Sequence, residues 1–164
     1  MSNNVYAWGF NDQNQLNISP NVFVQTPTPN GMSATVAINC PEFGNIGSTS
    51  FFIIGGALFW CGVKDGLLPN TLSQIGVHND WKDIKAGKSH ILLLKNNGTM
   101  WSMGSNTYGQ LGIGNTTSVL DQPVQIGVDT GWTQIGCGDD FCLALKNDFV
   151  LYVWGRNDVY QLGI

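Results

Sequence analysis

Charge is what this chain has least of. Only 11% of its 164 residues are Asp, Glu, Lys or Arg, against about a quarter in an ordinary soluble domain. The seven basic residues are scattered along the chain and the net charge is −4. No cluster of the kind that neutralises nucleic-acid phosphates or anionic lipid headgroups is present, so neither nucleic acid nor membrane is expected as a partner. The longest apolar stretch, near Phe51–Trp60, is broken by Gly55 and Gly56 and is far too short to span a bilayer. The first residues, Met1–Asn4, are polar and lead into no basic-then-apolar stretch. No export signal is therefore read, and an intracellular, cytoplasmic setting with reduced thiols is expected.

Chemistry-bearing motifs are equally scarce. The four cysteines, Cys40, Cys61, Cys137 and Cys142, form no CxxC pair, and Cys137 and Cys142 are separated by four residues without a histidine beside them. Zinc sites use tighter paired ligands, so these read as structural thiols. Gly87-Lys88-Ser89 resembles the end of a phosphate-binding loop but lacks that motif's first glycine and its strand-loop-helix setting. Asp139 and Asp140 follow Gly138 without the alternating acids of a calcium loop, and read as a solvated turn. His78 and His90 are linked by nothing in the linear sequence. There is no nucleophile elbow and no His-Glu-x-x-His. The sequence therefore names no catalytic, cofactor-binding or metal-binding residue, no cofactor is expected, and the chain is not read as an enzyme.

What the chain has in abundance is glycine, 21 residues, and internal repetition. Shifted by 51 residues, 74–113 aligns with 125–164 without a gap, and 17 of the 40 positions are identical. Gln74-Ile75-Gly76-Val77 falls on Gln125-Ile126-Gly127-Val128, Trp81 on Trp132, Ile84 on Ile135 and Gly87 on Gly138. Leu92, Leu94, Lys95 and Asn96 fall on Leu143, Leu145, Lys146 and Asn147. Gly104, Asn106 and Gln110-Leu111-Gly112-Ile113 fall on Gly155, Asn157 and Gln161-Leu162-Gly163-Ile164. A degraded copy opens the chain: Tyr6, Trp8, Gly9, Asn11, Gln15 and Leu16 match Tyr152, Trp154, Gly155, Asn157, Gln161 and Leu162. Phe59 and Gly62 mark another. The repeats are thus anchored at Gly9, Gly62, Gly104 and Gly155. The short step from Gly62 to Gly104 reflects a missing Gly-Gln-Leu-Gly loop after Gly62.

Each unit reads as short strands. Ile91–Leu94 and Met100–Met103 flank a turn segment, and Phe51–Ile54 and Ala57–Trp60 flank Gly55-Gly56, a two-residue hairpin turn. A run such as Ile-Leu-Leu-Leu suits a strand buried on both faces, and no segment has a convincing helical period. Several hairpins per unit, stacked radially, describe an all-β fold of propeller blades. Residues 1–164 are expected to form one repeat domain of roughly three blades plus a started fourth, on its own or as part of a larger propeller.

The run Met103-Gly104-Ser105-Asn106-Thr107-Tyr108-Gly109-Gln110-Leu111-Gly112-Ile113-Gly114 resembles the hallmark of the regulator of chromosome condensation repeat. Ala86-Gly87-Lys88-Ser89-His90 before a leucine-rich strand, and Pro123 before the next strand, also resemble that repeat. The resemblance implies a seven-bladed propeller of repeats about 50 residues long, and a common family histidine at His90. In this motif Gly104 and Gly155 end strands where backbone approaches closely. Gly109 and Gly112 permit tight turns, Gln110 pins the loop by its amide and Leu111 by burial. Trp81 and Trp132 fill the space between blades.

Three units and a started fourth do not close a ring, and open blade faces expose apolar surface. Either the polypeptide continues beyond Ile164, or self-association or a protein partner is expected to cover them. The first functional reading is a non-catalytic structural or protein-interaction module within a larger assembly. Its charge-poor, amide-rich composition resembles that of exposed virion components such as tail or decoration proteins. The alternative, implied by the family resemblance, is a guanine-nucleotide exchange or regulatory scaffold. The basic tail for chromatin is missing, and the family's exchange loop falls on no residue of this chain.

Overall fold

The structure is a computed structural model that describes residues 4–10, 23–33, 36–40, 43, 48–62 and 72–164. The described strands are β1 (Asn4–Phe10), β2 (Phe23–Ser33), β3 (Val36–Cys40), β4 (Thr49–Ile54), β5 (Ala57–Gly62), β6 (Ser73–Ile75), β7 (Trp81–Ala86), β8 (His90–Lys95), β9 (Met100–Gly104), β10 (Val119–Gln125), β11 (Trp132–Cys137), β12 (Phe141–Lys146) and β13 (Leu151–Gly155). Each strand pairs antiparallel with its sequence neighbour to form four sheets: β1-β2, β3-β4-β5-β6, β7-β8-β9-β10 and β11-β12-β13. Among the described residues there is no α-helix, and no helix long and apolar enough to cross a membrane.

The 51-residue period is visible in the strand register. Trp81 pairs with Lys95 and Asp83 with Leu94, with one irregularity between them. Trp132 pairs with Lys146 and Gln134 with Leu145, with the same irregularity. The sheets β7–β10 and β11–β13 are each joined to the one before by a repeated backbone bond. Trp81 N–H donates to the Gly56 carbonyl (3.0 Å), and Trp132 N–H to the Gly98 carbonyl (3.2 Å). Glycine is required at both turns. A Cβ at Gly56 would lie 2.1 Å from the Asn79 oxygen, and one at Gly98 would lie 2.7 Å from the Gly131 nitrogen.

The leucine-rich run behaves as its composition requires. Every residue of β8 is buried, and successive side chains of a strand point to opposite faces. Ile91 and Leu93 join Phe51, Ile53, Leu58, Trp60 and Trp81 in the core toward β3–β6. Leu92 and Leu94 join Met100, Trp132, Ile135 and Ala144 in the core toward β11–β13. Each such side chain contributes roughly 1.5–3 kcal/mol by leaving water, so β8 is the principal glue on both of its sides. Trp81 and Trp132 are buried between sheets, as the repeat alignment predicts. The missing loop after Gly62 and most of the N-terminal copy, Asn11, Gln15 and Leu16 included, lie outside the described residues.

Candidate functional site

The loop after β9 seats the following sheet. Strand β9 ends at Gly104, whose φ is +125°. A Cβ there would sit 2.5 Å from the His90 Cα and 2.6 Å from the Ser89 oxygen, so only glycine lets the chain pass. Beyond it, buried Asn106 organises the loop. Its Oδ1 accepts from Leu111 N–H (2.9 Å), and its Nδ2 donates to the Asn115 (2.8 Å) and Thr117 (3.1 Å) carbonyls. Gln110 Oε1 accepts from Tyr108 N–H (2.9 Å), and Ser102 Oγ donates to the Leu111 carbonyl (2.8 Å). Leu111 is fully buried. Gln110 and Leu111 thus hold the loop in the two ways expected of them.

So fixed, the loop turns the Gln110 carbonyl toward the following sheet, where it accepts from Trp154 Nε1 (2.9 Å). Lys88 N–H donates to the Asp139 carbonyl (2.9 Å), and the Arg156 guanidinium stacks 4.9 Å from the Tyr108 ring centroid. A Cβ at Gly112 would be 2.8 Å from Trp154 Nε1. Gly87-Lys88-Ser89 is therefore a hairpin turn that meets the next sheet, not a phosphate cradle. Gly87 N–H closes that turn on the His90 carbonyl.

One repeat later the same loop is built and left open. Asn157 Oδ1 accepts from Leu162 N–H (3.0 Å) and Gln161 Oε1 from Val159 N–H (3.0 Å). Gly138, Asp140, Phe141, Arg156, Val159 and Gln161 line a cleft. Shifted back by 51, these are Gly87, Ser89, His90, Ser105, Tyr108 and Gln110, the group that receives β11–β13. Arg156 is tied to Asp158 (2.6 Å) and Asp140 (3.3 Å). Those two carboxylates, Asp158 first, raise its pKa, and Arg156 in turn lowers that of Asp158. Val159 is 73% exposed and Tyr160 81%. At the other end of the sheet Phe149 is 85% exposed with φ of 64°. It occupies the position of Gly98 in the previous turn.

A second cluster lies inside the junction between β7–β10 and β11–β13. His90 Nε2 is 3.1 Å from Cys142 Sγ, which is 3.6 Å from Cys137 Sγ, and the three donor atoms lie within 4.8 Å of one another. Cys137 and Cys142 face each other across β11 and β12. The hydrogen bond from Cys142 is the main cause that brings the Cys137 thiol down to about 6. Burial opposes it, and the neighbouring His90 assists. Burial first, and the thiol's role as donor to Cys137 second, push Cys142 well up. Two soft sulfurs and an imidazole can hold a thiophilic metal ion. The linear spacing of the cysteines gave no sign of this, because the histidine comes from the preceding sheet.

The remaining polar residues belong to a third, repeated arrangement. Lys95 Nζ lies over the Trp81 and Trp101 rings (4.8 and 4.7 Å) and pairs with Asp80 (2.9 Å) and His78 Nδ1 (2.9 Å). Lys146 lies over Trp132 and Tyr152 (5.0 and 5.4 Å) and pairs with Asp129 (2.6 Å), which raises its pKa. His78 thus belongs to a lysine–tryptophan stack and His90 to the cysteines. Asp139 offers its carbonyl to Lys88, and Asp140 its carboxylate to Arg156.

Comparison with known proteins agrees with this geometry. A model of the regulator of chromosome condensation (RCC1) repeat matches residues 97–145, and a second model of that repeat matches 81–110 and 132–161. The chain is 37% identical over 79 residues to the Xenopus laevis protein RCC2 homolog, covering 47% of this chain and 15% of that protein. It is 33% identical over 106 residues to the Arabidopsis thaliana ultraviolet-B receptor UVR8, covering 62% and 23%. The chain therefore spans less than a quarter of the length of these relatives. Among solved structures, yeast RCC1 (Prp20) bound to Kap60 superposes with a TM-score of 0.81 at 19% identity, over 98% of this chain and 41% of that one. Human WBSCR16 superposes with a TM-score of 0.77 at 20% identity, over 99% and 48%. The period, the sheet order and the Asn-x-x-x-Gln-Leu-Gly loop agree with both kinds of match, and the chain belongs to the regulator of chromosome condensation repeat family, its sheets being blades of a β-propeller.

Proposed function

We propose that this chain is a protein-interaction or regulatory scaffold module, a single repeat domain over residues 1–164, whose cleft beside Arg156 seats a further sheet of the same repeat kind. The observation that carries the reading is the cleft along Gly138–Phe141 and Arg156–Gln161. Its counterpart one repeat earlier is filled by a β-sheet, and the junction before that, at Gly56, is also filled by one. The occupant that fits is a further sheet of the same repeat kind, offering a ring N–H to the Gln161 carbonyl as Trp154 does to Gln110. It must stand off at the other end of the blade, where Phe149 replaces the glycine that both internal junctions require.

Protein partners fit the family as well. A yeast member is solved in complex with Kap60, and Prp20p of Saccharomyces cerevisiae is described by its binding to Gsp1p and histones. Composition alone suggested a virion component, and that suggestion gains no support from the fold or the relatives. Native mass spectrometry of the full chain tests the proposal, alongside Val159→Lys, a change at an exposed position of the cleft. The expected result is a defined complex, with a second copy or with a repeat-bearing partner, that Val159→Lys disrupts at least tenfold. A chain that stays monomeric at high concentration, and binds no repeat-bearing protein, would contradict it.

A further inference from the structure

The cluster of His90, Cys137 and Cys142 is not needed to explain how the blades stack. The preceding junction joins its sheets through the same turn glycine and tryptophan bond and a core that includes Phe51, Ile53, Leu58 and Ile91, with Thr49 where His90 stands and Ala86 and Ile91 where the cysteines stand. We propose that His90 Nε2, Cys137 Sγ and Cys142 Sγ form a binding site for a thiophilic d10 metal ion, Zn2+ or Cu+, that clips two neighbouring blades together.

The argument starts from the donors. Two thiols and an imidazole form a set with no carboxylate, and this combination selects zinc or cuprous copper over magnesium, calcium or manganese. Spacing comes next. An ion with bonds of about 2.3 Å to sulfur and about 2.0–2.1 Å to nitrogen holds its donors roughly 3.4–3.8 Å apart when tetrahedral. The Sγ–Sγ distance of 3.6 Å is already there, Nε2 at 3.1 Å from Cys142 Sγ must move out by a few tenths of an ångström, and the remaining separation, within 4.8 Å, must close to the same range.

Framework is the third point. Cys137 and Cys142 are register partners beside the turn that Gly138 N–H closes on the Phe141 carbonyl (2.9 Å). His90 begins β8, fully buried. The donors are therefore presented by rigid strands and not by loops, which is what a preorganised site requires. Charge is the fourth. Two thiolates with Zn2+ are neutral in a buried place, and with Cu+ carry one negative charge, so metal entry cancels the charge of the buried thiolates with Zn2+ and halves it with Cu+. The Gln110 carbonyl, 3.4 Å from Cys142 Sγ, is already occupied by Trp154 Nε1. No fourth side chain joins the set among the described residues. Zn2+ would keep a water in its fourth position, whereas Cu+ would be satisfied by the three donors.

Binding needs no oxidant. Each thiol loses a proton as its sulfur bonds the ion, so up to two protons are released per ion bound. The test is a titration of the full, reduced, metal-free chain with Zn2+ and, separately and anaerobically, with Cu+. Competing chelators report affinity, Co2+ in place of Zn2+ reports thiolate ligation through its charge-transfer absorption, and mass spectrometry after alkylation reports which cysteines are shielded.

The expected result is one ion per chain, with Cys137 and Cys142 shielded together and Cys61 unchanged. Changes behind the ligands alone cost about 10–100-fold in metal affinity, so Cys137→Ser or Cys142→Ser is expected to weaken binding by at least about 100-fold. Cys61→Ser is expected to leave it unaltered. Serine keeps the size and the hydrogen-bonding capacity of the thiol, so circular dichroism of these variants should match the parent chain. Preference for Zn2+ or for Cu+ identifies the ion. Three results would overturn the proposal: no ion bound more tightly than by a chain lacking both cysteines, binding that survives both serine variants, or a Cys137–Cys142 disulfide in the isolated protein whose reduction yields no metal-binding chain.

Discussion

The stretches 74–113 and 125–164 share the motif, the β7-β8 and β11-β12 register and the loop bonds to Asn106 or Asn157 Oδ1 and to Gln110 or Gln161 Oε1, yet differ in burial. Leu111 is fully buried and Leu162 only partly. The Lys95 side chain is 6% exposed and that of Lys146 17%. Trp101 is half-buried, whereas its counterpart Tyr152 is 41% exposed. The loop's conformation is therefore a local property, written by Gly104 or Gly155, Asn106 or Asn157, and Gln110 or Gln161. Its burial belongs to the neighbouring blade. A repeat of this kind is folded by its own residues and covered by the next, which is how stacked repeat proteins divide their stability.

The largest expected effect follows from that division. Leu111→Ala removes a fully buried side chain and should cost about 2–5 kcal/mol, while Leu162→Ala should cost less than half as much in the isolated chain. Chemical denaturation of the two variants measures the gap, and equal costs would mean that the last seat is already covered. The glycines sharpen the comparison from the other side. A Cβ at Gly104 would meet the His90 Cα at 2.5 Å, and one at Gly155 the Asp140 oxygen at 2.6 Å. Both clashes are within the blade. Gly104→Ala and Gly155→Ala should therefore destabilise by similar amounts, more than about 1 kcal/mol each, whatever covers the blade.

Lys95→Met takes a buried cation from Asp80 and His78 and should cost about 1–3 kcal/mol. Lys146→Met loses a pair whose carboxylate is exposed and should cost less than Lys95→Met; thermal melts decide. The smallest effect is at Phe149. Glycine there relieves a positive φ that costs a bulky residue about 1–2 kcal/mol, partly offset by glycine's greater freedom when unfolded. The chain should thus gain only a few tenths of a kcal/mol in melting experiments. The same change removes the stand-off at the open junction and should tighten docking of a further sheet. If Phe149→Gly loosens the complex instead, Phe149 is an anchor for a partner of another shape.

Much of this was legible in the sequence, because a repeat prints its own alignment. The hairpin at Gly55-Gly56, the two-faced burial of Ile91–Leu94, the buried Trp81 and Trp132 and the loop roles of Gln110 and Leu111 all follow from local patterns. The relation between blades was not legible. Nothing near Cys137 announces His90, which arrives from the preceding sheet across the stacking interface. Nor does Phe149 look unusual until its turn is compared with Gly98, where a neighbouring backbone forbids a side chain. Strand pattern reports what a strand does within its own sheet, whereas the contacts across blades depend on how sheets are stacked.

Hydrogen–deuterium exchange, followed at Leu111 and Leu162 as a function of chain concentration and with any repeat-bearing partner added, tests the central claim most directly. Both amides donate to an asparagine Oδ1 at the same place in the repeat, and cover by a following sheet is the difference a change of concentration or partner alters. The account predicts that Leu162 exchanges faster than Leu111 in the dilute chain, and that its protection rises to meet that of Leu111 when the seat is filled. Protection of Leu162 that equals that of Leu111 at the lowest concentration, or that never rises with concentration or partner, would contradict it.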